Sequence, residues 1–180
     1  MNNIIKLLKQ VDSYSYAGRF EVGTYLVELP NGQQTNFFLR KGNPYAIIVP
    51  MLDDSSFVMV KQYRLGAQQI SLEFPMGEVA GKTHREAAEI ELREETGYSA
   101  TVYTHLGQFY LSPGWSTQEG HIYLASGLQE GRQDLEEYEF IESVVVNEKD
   151  LESMILRGEI IDASTLVAFQ QYKNHIGKNA

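Results

Sequence analysis

Cysteine is missing from this chain altogether. Its absence excludes a disulfide framework and any thiolate chemistry, and it fits the cytoplasm. Long apolar runs are missing too. The longest, 45–52 and 56–60, have the length of strands and fall far short of the roughly 20 residues a membrane span needs. The opening segment, residues 1–10, is mixed and carries Lys6 and Lys9. It has neither a long apolar core nor a small-residue cleavage site, so no signal peptide is expected. Basic residues are scarce: 15 Lys and Arg against 24 Asp and Glu leave a net charge of -9. A nucleic-acid binder would present a basic face, so neither a nucleic-acid nor a membrane partner is expected. Phosphate chemistry in so acidic a chain needs local cations, from a few Arg or Lys residues or from bound metal.

What is present is ordinary for a globular protein with a real core: 180 residues, 43% hydrophobic and 22% charged. That length suits one domain or one with a small appendage. Turn signals are spread evenly, at Pro30-Asn31-Gly32, Lys41-Gly42-Asn43-Pro44, Asp53-Asp54 and Gly127. The short segments between them are rich in β-branched and aromatic residues. They predict strands over 23–29, 35–41, 45–52, 56–63, 69–74, 100–111, 120–125 and 140–147. Three stretches predict helices. Residues 83–96 open on a capping box, Thr83-x-x-Glu86, and end at Gly97. Residues 148–157 carry Leu151, Met154 and Ile155 at helical spacing, and 162–175 begin on a capping Asp162. Strands in a run, one early helix and two late ones predict an α+β fold or an α/β/α sandwich, with a small sheet in the first 40 or so residues.

The informative segment is the acidic helix. Helical spacing puts Glu91, Glu94 and Glu95 within about one turn of each other. Such a stripe is also what a solvated face looks like, with Arg85 and Arg93 nearby. A hard cation with oxygen ligands would remove the mutual repulsion and turn the stripe into a metal site. Just upstream, Glu73-Phe74-Pro75-Met76-Gly77-Glu78 runs from an apolar strand end into a glycine-containing loop. Strand, loop and helix together can surround one or more Mg²⁺ ions.

This stretch resembles the Nudix box, G-x5-E-x7-R-E-U-x-E-E-x-G-U, with U aliphatic or aromatic. The second half matches closely, as Glu91-Leu92-Arg93-Glu94-Glu95-Thr96-Gly97-Tyr98. The first half departs from the pattern. The loop after Gly77 is one residue short, Lys82 stands where the first box Glu belongs, and Ile90 replaces the Arg that orients a box carboxylate in the family. Three flanking stretches resemble the ADP-ribose pyrophosphatase and nucleoside-diphosphate-sugar hydrolase subfamily. They are Val60-Lys61-Gln62-Tyr63-Arg64 with Leu72-Glu73-Phe74-Pro75, then Tyr110-Leu111-Ser112-Pro113-Gly114, then the acidic run 136–142. The continuation of the second, Gly114 to Glu119, varies: Gln118, rather than Glu119, stands where the subfamily usually carries an acidic residue. The entry to the last helix, Gly158 to Leu166, is similar as well.

The resemblance implies a Nudix-type α/β/α sandwich with a mixed sheet over residues 43–180, preceded by a β-rich dimerisation segment over 1–42. It implies Mg²⁺-dependent hydrolysis (Mn²⁺ as a substitute) of the pyrophosphate of ADP-ribose or a similar nucleotide sugar, in a homodimer. By resemblance Glu91, Glu94 and Glu95 hold the metal, with the Met76 carbonyl as a further ligand. Glu139 is the first choice for general base, Glu137 the second, and Glu94 a third. Arg64, Glu73, Ser112 and Trp115 are the substrate-binding candidates. Arg64 is equally at home as a surface arginine, and Trp115, the only tryptophan, as a core residue. His84, His105, His121 and His175 are scattered along the chain and read as structural or surface residues. The departures at Lys82, Ile90 and the short loop leave a second reading, a Nudix-like module that binds nucleotide sugars without cutting them.

Overall fold

The computed structural model describes residues 4–16, 20–53 and 55–179. Met1 to Asn3 of the opening segment and Asp54 of the Asp53-Asp54 turn lie outside them. The order is β1 (Lys6–Tyr16), β2 (Phe20–Glu28), β3 (Gln34–Lys41), β4 (Tyr45–Asp53), β5 (Ser56–Arg64), β6 (Gln69–Glu73), β7 (Met76–Glu78), α1 (His84–Thr96), β8 (Tyr98–Tyr110), β9 (Glu119–Glu130), β10 (Ile141–Asn147), α2 (Glu148–Leu156) and α3 (Ala163–Asn179). The chain divides into two compact units. One holds Met1–Asn43 with Tyr110–Glu119, the other Pro44–Phe109 with Gly120–Ala180. Segment 110–119, which sequence alone attaches to the main core, thus groups with the N-terminal sheet.

In the first unit β1, β2 and β3 form an antiparallel sheet in that order. The Pro30-Asn31-Gly32 turn joins β2 to β3. Gly32 takes φ +82° there, and its N–H donates to the Leu29 carbonyl at 2.9 Å. Segment 110–119 docks on β3: Arg40 N–H donates to the Trp115 carbonyl at 2.8 Å and Thr117 N–H to the Arg40 carbonyl at 3.0 Å. Strand β1 lies ahead of the first strand expected from the sequence, 23–29, within the small sheet expected there. Its register shifts twice, between Leu7 and Lys9 and between Gln10 and Asp12, which breaks the two-residue alternation that betrays a strand.

The second unit is built on a mixed sheet ordered β10-β5-β4-β9-β8, with β6 also on β5 and β7 on β4. Strand β4 runs parallel to β9 and antiparallel to β5 and β7. It is buried from Tyr45 to Pro50, and its side chains alternate between two cores. Tyr45, Ile47 and Val49 pack with α2 and α3 through Leu151, Phe169 and Tyr172. Ala46 and Ile48 pack with α1 through Ala87, Ala88 and Leu92. A strand covered on both faces needs a continuous apolar run, which is what 45–52 shows. Phe57 anchors the larger core, its ring edge-on to Phe74 at 5.7 Å and to Tyr172 at 5.0 Å. The result is a helix–sheet–helix sandwich of α+β type. Among the described residues no helix is long and apolar enough to cross a membrane.

Candidate active site

Helix α1 begins as its sequence dictates. Glu86 N–H donates to Thr83 Oγ1 at 3.2 Å, and Thr83 N–H donates back to the Glu86 carboxylate at 2.8 Å. Gly97 closes it in the left-handed conformation, φ +80°, with its N–H on the Arg93 carbonyl. The buried face carries Ala88, Leu92 and Glu95 at four- and three-residue spacing, so the helix that packs on the sheet also drives one carboxylate under it. Glu95 is 6% exposed. Its Oε2 accepts from Met76 N–H at 3.0 Å, which ties it to β7.

Glu91 lies half-buried one turn before Glu95, against Gly77. A Cβ on Gly77 would meet Glu91 Cδ at 2.0 Å, so a larger residue here would have to displace the Glu91 carboxylate. Burial pushes the Glu91 carboxyl up to about 7, helped by the charges of Glu94 and Glu139. Burial also pushes the Glu95 carboxyl up to about 8, against the Met76 N–H bond and the Arg64 charge, which favour ionisation. Glu94 is more open and pairs with Arg93 at 3.2 Å. The charge of Lys82 pulls the Glu91 carboxyl back down and favours ionised Glu86 as well. The short loop closes as a tight turn, Lys82 N–H to the Val79 carbonyl at 2.9 Å, with Ala80 at φ +45° and Gly81 at φ +82°.

Arg64 and Glu73 meet across the β5–β6 pair. Arg64 Nε donates to Glu73 Oε1 at 2.9 Å, and Nη2 donates to Oε2. Glu73 is 1% exposed, so its charge is compensated almost wholly by this fork and by Gln62 Nε2 at 3.4 Å. The segment 131–140 folds over the C-terminal end of α1. Gln133 Nε2 donates to the Glu95 carbonyl at 2.6 Å, and Asp134 N–H to the Glu94 carbonyl at 3.1 Å. Nothing in the sequence around Gln133 announces that contact. Glu139 is half-buried and accepts from Glu136 N–H at 3.0 Å, while Glu137 is exposed. The Glu139 charge raises both Glu91 and Glu95. A cavity of about 520 Å³ beside it is lined by Tyr63, Ile70, Leu135 and Phe140 among others.

Ser112 and Trp115 belong to the other unit. The Ser112 carbonyl accepts from Trp115 N–H at 3.1 Å and Ser116 N–H at 2.9 Å, a tight turn that presents Trp115. At 56% exposure Trp115 is no core residue. Gln118 accepts from Arg40 Nη1 at 3.0 Å. The histidines prove less scattered than their spacing suggests. His84 and His121 stack with ring centroids 3.6 Å apart, and His105 lies 5.7 Å from His121.

Buried Glu95 and half-buried Glu91, with Glu94 beside them and the Met76–Gly77 backbone against them, are residues that could hold a hard cation. Comparison with known proteins decides the family: the NUDIX domain model matches residues 42–169. The chain belongs to the Nudix family. It is a Nudix pyrophosphohydrolase. An ADP-ribose pyrophosphatase of Bacillus subtilis (strain 168) is 34% identical over 147 residues, covering 80% of each chain. A protein of Bacillus methanolicus named methanol dehydrogenase activator is 32% identical over the same shares. The ADP compounds hydrolase NudE of Escherichia coli (strain K12) is 29% identical over 66% of this chain and 64% of its own. Among solved structures, an ADP compounds hydrolase superposes with a TM-score of 0.82 at 21% identity, over 97% of this chain and 98% of that one. That likeness establishes the Nudix fold.

Proposed function

We propose that this Nudix enzyme hydrolyses the pyrophosphate of a nucleoside diphosphate joined to a sugar, ADP-ribose or a close analogue, to a nucleoside monophosphate and a sugar phosphate. The observation that carries the reading is the pair of half-buried Glu91 and buried Glu95, held against Gly77 and Met76 with their carboxyls pushed up to about 7 and about 8. Crowded, desolvated carboxylates of this kind suit a divalent cation that replaces their protons. The donors are all oxygen: Glu91, Glu94, Glu95 and the Met76 carbonyl. That set fits Mg²⁺, or Mn²⁺ in its place. When bound, the ion supplies neutralisation of phosphate charge and a lower pKa for water.

The rest falls to side chains. Arg64 spends Nε and Nη2 on Glu73, and its Nη1 remains to hold a phosphate oxygen. Glu73 is in this reading a positioning residue that fixes the fork. Glu139 takes the proton of the attacking water. It is preferred to Glu137 because its charge reaches both helix carboxylates. Trp115 offers an exposed ring for a nucleobase and Ser112 shapes the turn that presents it. The names of the relatives in Bacillus subtilis and Escherichia coli support the substrate class. The test is product identification from a panel of nucleotide sugars with and without Mg²⁺. Release of nucleoside monophosphate and sugar phosphate only with metal supports the reading; intact nucleotide sugars under every condition refute it.

We further propose a homodimer formed through the N-terminal sheet. Strand β1 exposes Leu7, Val11, Tyr14 and Tyr16, and β3 exposes Phe38, a density of bare apolar side chains on a sheet that monomers seldom leave uncovered.

A further inference from the structure

Residues 131–140, between β9 and β10, form neither strand nor helix. They are acidic, with Asp134, Glu136, Glu137 and Glu139 against Arg132. Yet they lie on the C-terminal end of α1, beside Glu94 and Glu95, where the helix dipole is negative as well. Charge alone would drive this segment away, so specific contacts must hold it. The last carbonyls of a helix have no partner within it. Here the Arg93 carbonyl accepts from Gly97 N–H, and the segment takes the next two. Asp134 N–H donates to the Glu94 carbonyl at 3.1 Å, and Gln133 Nε2 donates to the Glu95 carbonyl at 2.6 Å. Two glycines allow the approach. A Cβ on Gly97 would stand 2.9 Å from Gln133 N, and one on Gly131 would stand 2.9 Å from the Gly97 oxygen. Both obstacles are backbone atoms, which cannot swing aside.

Leu135 separates this anchor from a closed turn. In that turn Glu139 N–H donates to the Glu136 carbonyl at 2.9 Å, and Glu136 N–H donates back to Glu139 Oε2 at 3.0 Å. A short, self-bonded turn moves as a piece, so the anchor decides where the Glu139 carboxylate stands. From there its charge reaches Glu91 and Glu95. Glu95 itself is gripped at both ends, its carboxylate by Met76 N–H and its carbonyl by the Gln133 amide. We propose that Gln133 is a positioning residue, whose amide on the Glu95 carbonyl places the Glu139 carboxylate against the helix that carries the metal ligands. The proposal rests on the reading of Glu139 as the general base of a nucleotide-sugar pyrophosphohydrolase.

The experiment is a double-mutant cycle on the full-length protein, with ADP-ribose as substrate, saturating Mg²⁺ and thermal melts alongside. Gln133→Ala should lose about 10–100-fold in kcat, the scale of a misplaced reacting group, with KM within about twofold. Its Tm should stay within about 4 °C of the wild type, as expected for one hydrogen bond in a chain of this size. Gln133→Lys restores a donor of similar reach and should recover most of the lost kcat. Action through Glu139 makes the losses non-additive, so Gln133→Ala should cost less than about twofold in a Glu139→Gln background. A kcat within about twofold of the wild type in Gln133→Ala, or the same fold loss in both backgrounds, would overturn the proposal and leave the base assignment standing. Full activity in Glu139→Gln, or a wild-type protein that cleaves no nucleotide sugar, would overturn both.

Discussion

Gly77 and Glu91 lie so close that a Cβ on Gly77 would stand 2.0 Å from Glu91 Cδ and 2.1 Å from Oε1. The clash falls on the far end of a flexible side chain, so the fold can yield by swinging the carboxylate away. Gly77→Ala should therefore melt within a few degrees of the wild type yet lose at least about tenfold in apparent Mg²⁺ affinity, the usual scale for disturbing a ligand's support. Thermal melts beside a Mg²⁺ titration of activity separate the two effects. A variant with normal metal dependence would remove Glu91 from the ligand set.

Acidity offers an independent check on the same cluster. The folded Glu91 and Glu95 carboxyls, near 7 and 8, hold protons more tightly than the ordinary value of 4.5. Between about pH 4.5 and 8 the folded state thus carries more protons than the unfolded one. The stability they contribute is full below about 4.5 and is lost as pH rises through 7 and 8. The metal-free protein should show a falling Tm from about pH 5 to 8.5, and saturating Mg²⁺ should raise Tm most at the alkaline end. A metal-free Tm that rises across this window would contradict the assignment of crowded, proton-hungry carboxylates.

Substitution of those carboxylates should separate folding from chemistry. Glu95→Gln keeps an oxygen for Met76 N–H and removes the charge, so the metal-free variant should be at least as stable as the wild type at about pH 8. Turnover should fall by several orders of magnitude, the scale of losing metal-assisted catalysis. Near-normal activity in Glu91→Gln and Glu95→Gln together would sink the metal site.

Much of this was legible beforehand, and the omissions have physical causes. Turn signals with β-branched and aromatic segments revealed most strands, helical spacing and caps revealed the helices, and the capping box placed the start of α1 to the residue. Strand β1 was hidden because its two register shifts scramble alternation, and β7 because three residues around Gly77 carry no period. The carboxylate stripe was visible as spacing. Its burial was not, since burial of Glu95 depends on β7 lying against the buried face of α1. The role of Gln133 arises from a contact between segments far apart in sequence, where no local signal exists. The short box loop looked like a defect; it is a tight turn with two left-handed residues.

That turn carries a stability prediction of its own. Ala80 holds φ +45°, a conformation that costs a residue with a Cβ roughly 1–2 kcal/mol. Ala80→Gly should recover part of that, and Tm should rise by a few degrees. A fall in Tm would show that the Ala80 methyl earns its place by packing.

The loop acid tests the proton transfer. Glu139→Gln should lower kcat by about 10²–10⁴-fold, the usual general-base contribution, with KM nearly unchanged. Glu137→Gln should lose far less. If Glu137→Gln is the crippled variant, the base sits two residues earlier; if neither matters while Glu94→Gln is inactive with metal still bound, the base lies on the helix.

The most direct measurement of the whole account is to incubate the purified protein with ADP-ribose and identify the products with and without Mg²⁺, alongside ATP and dGTP as triphosphate controls. The account predicts AMP and ribose phosphate in equal amounts, formed only with metal and faster than any triphosphate is cleaved. Faster turnover of ATP or dGTP than of every nucleotide sugar, or release of AMP in the full absence of metal, would contradict it.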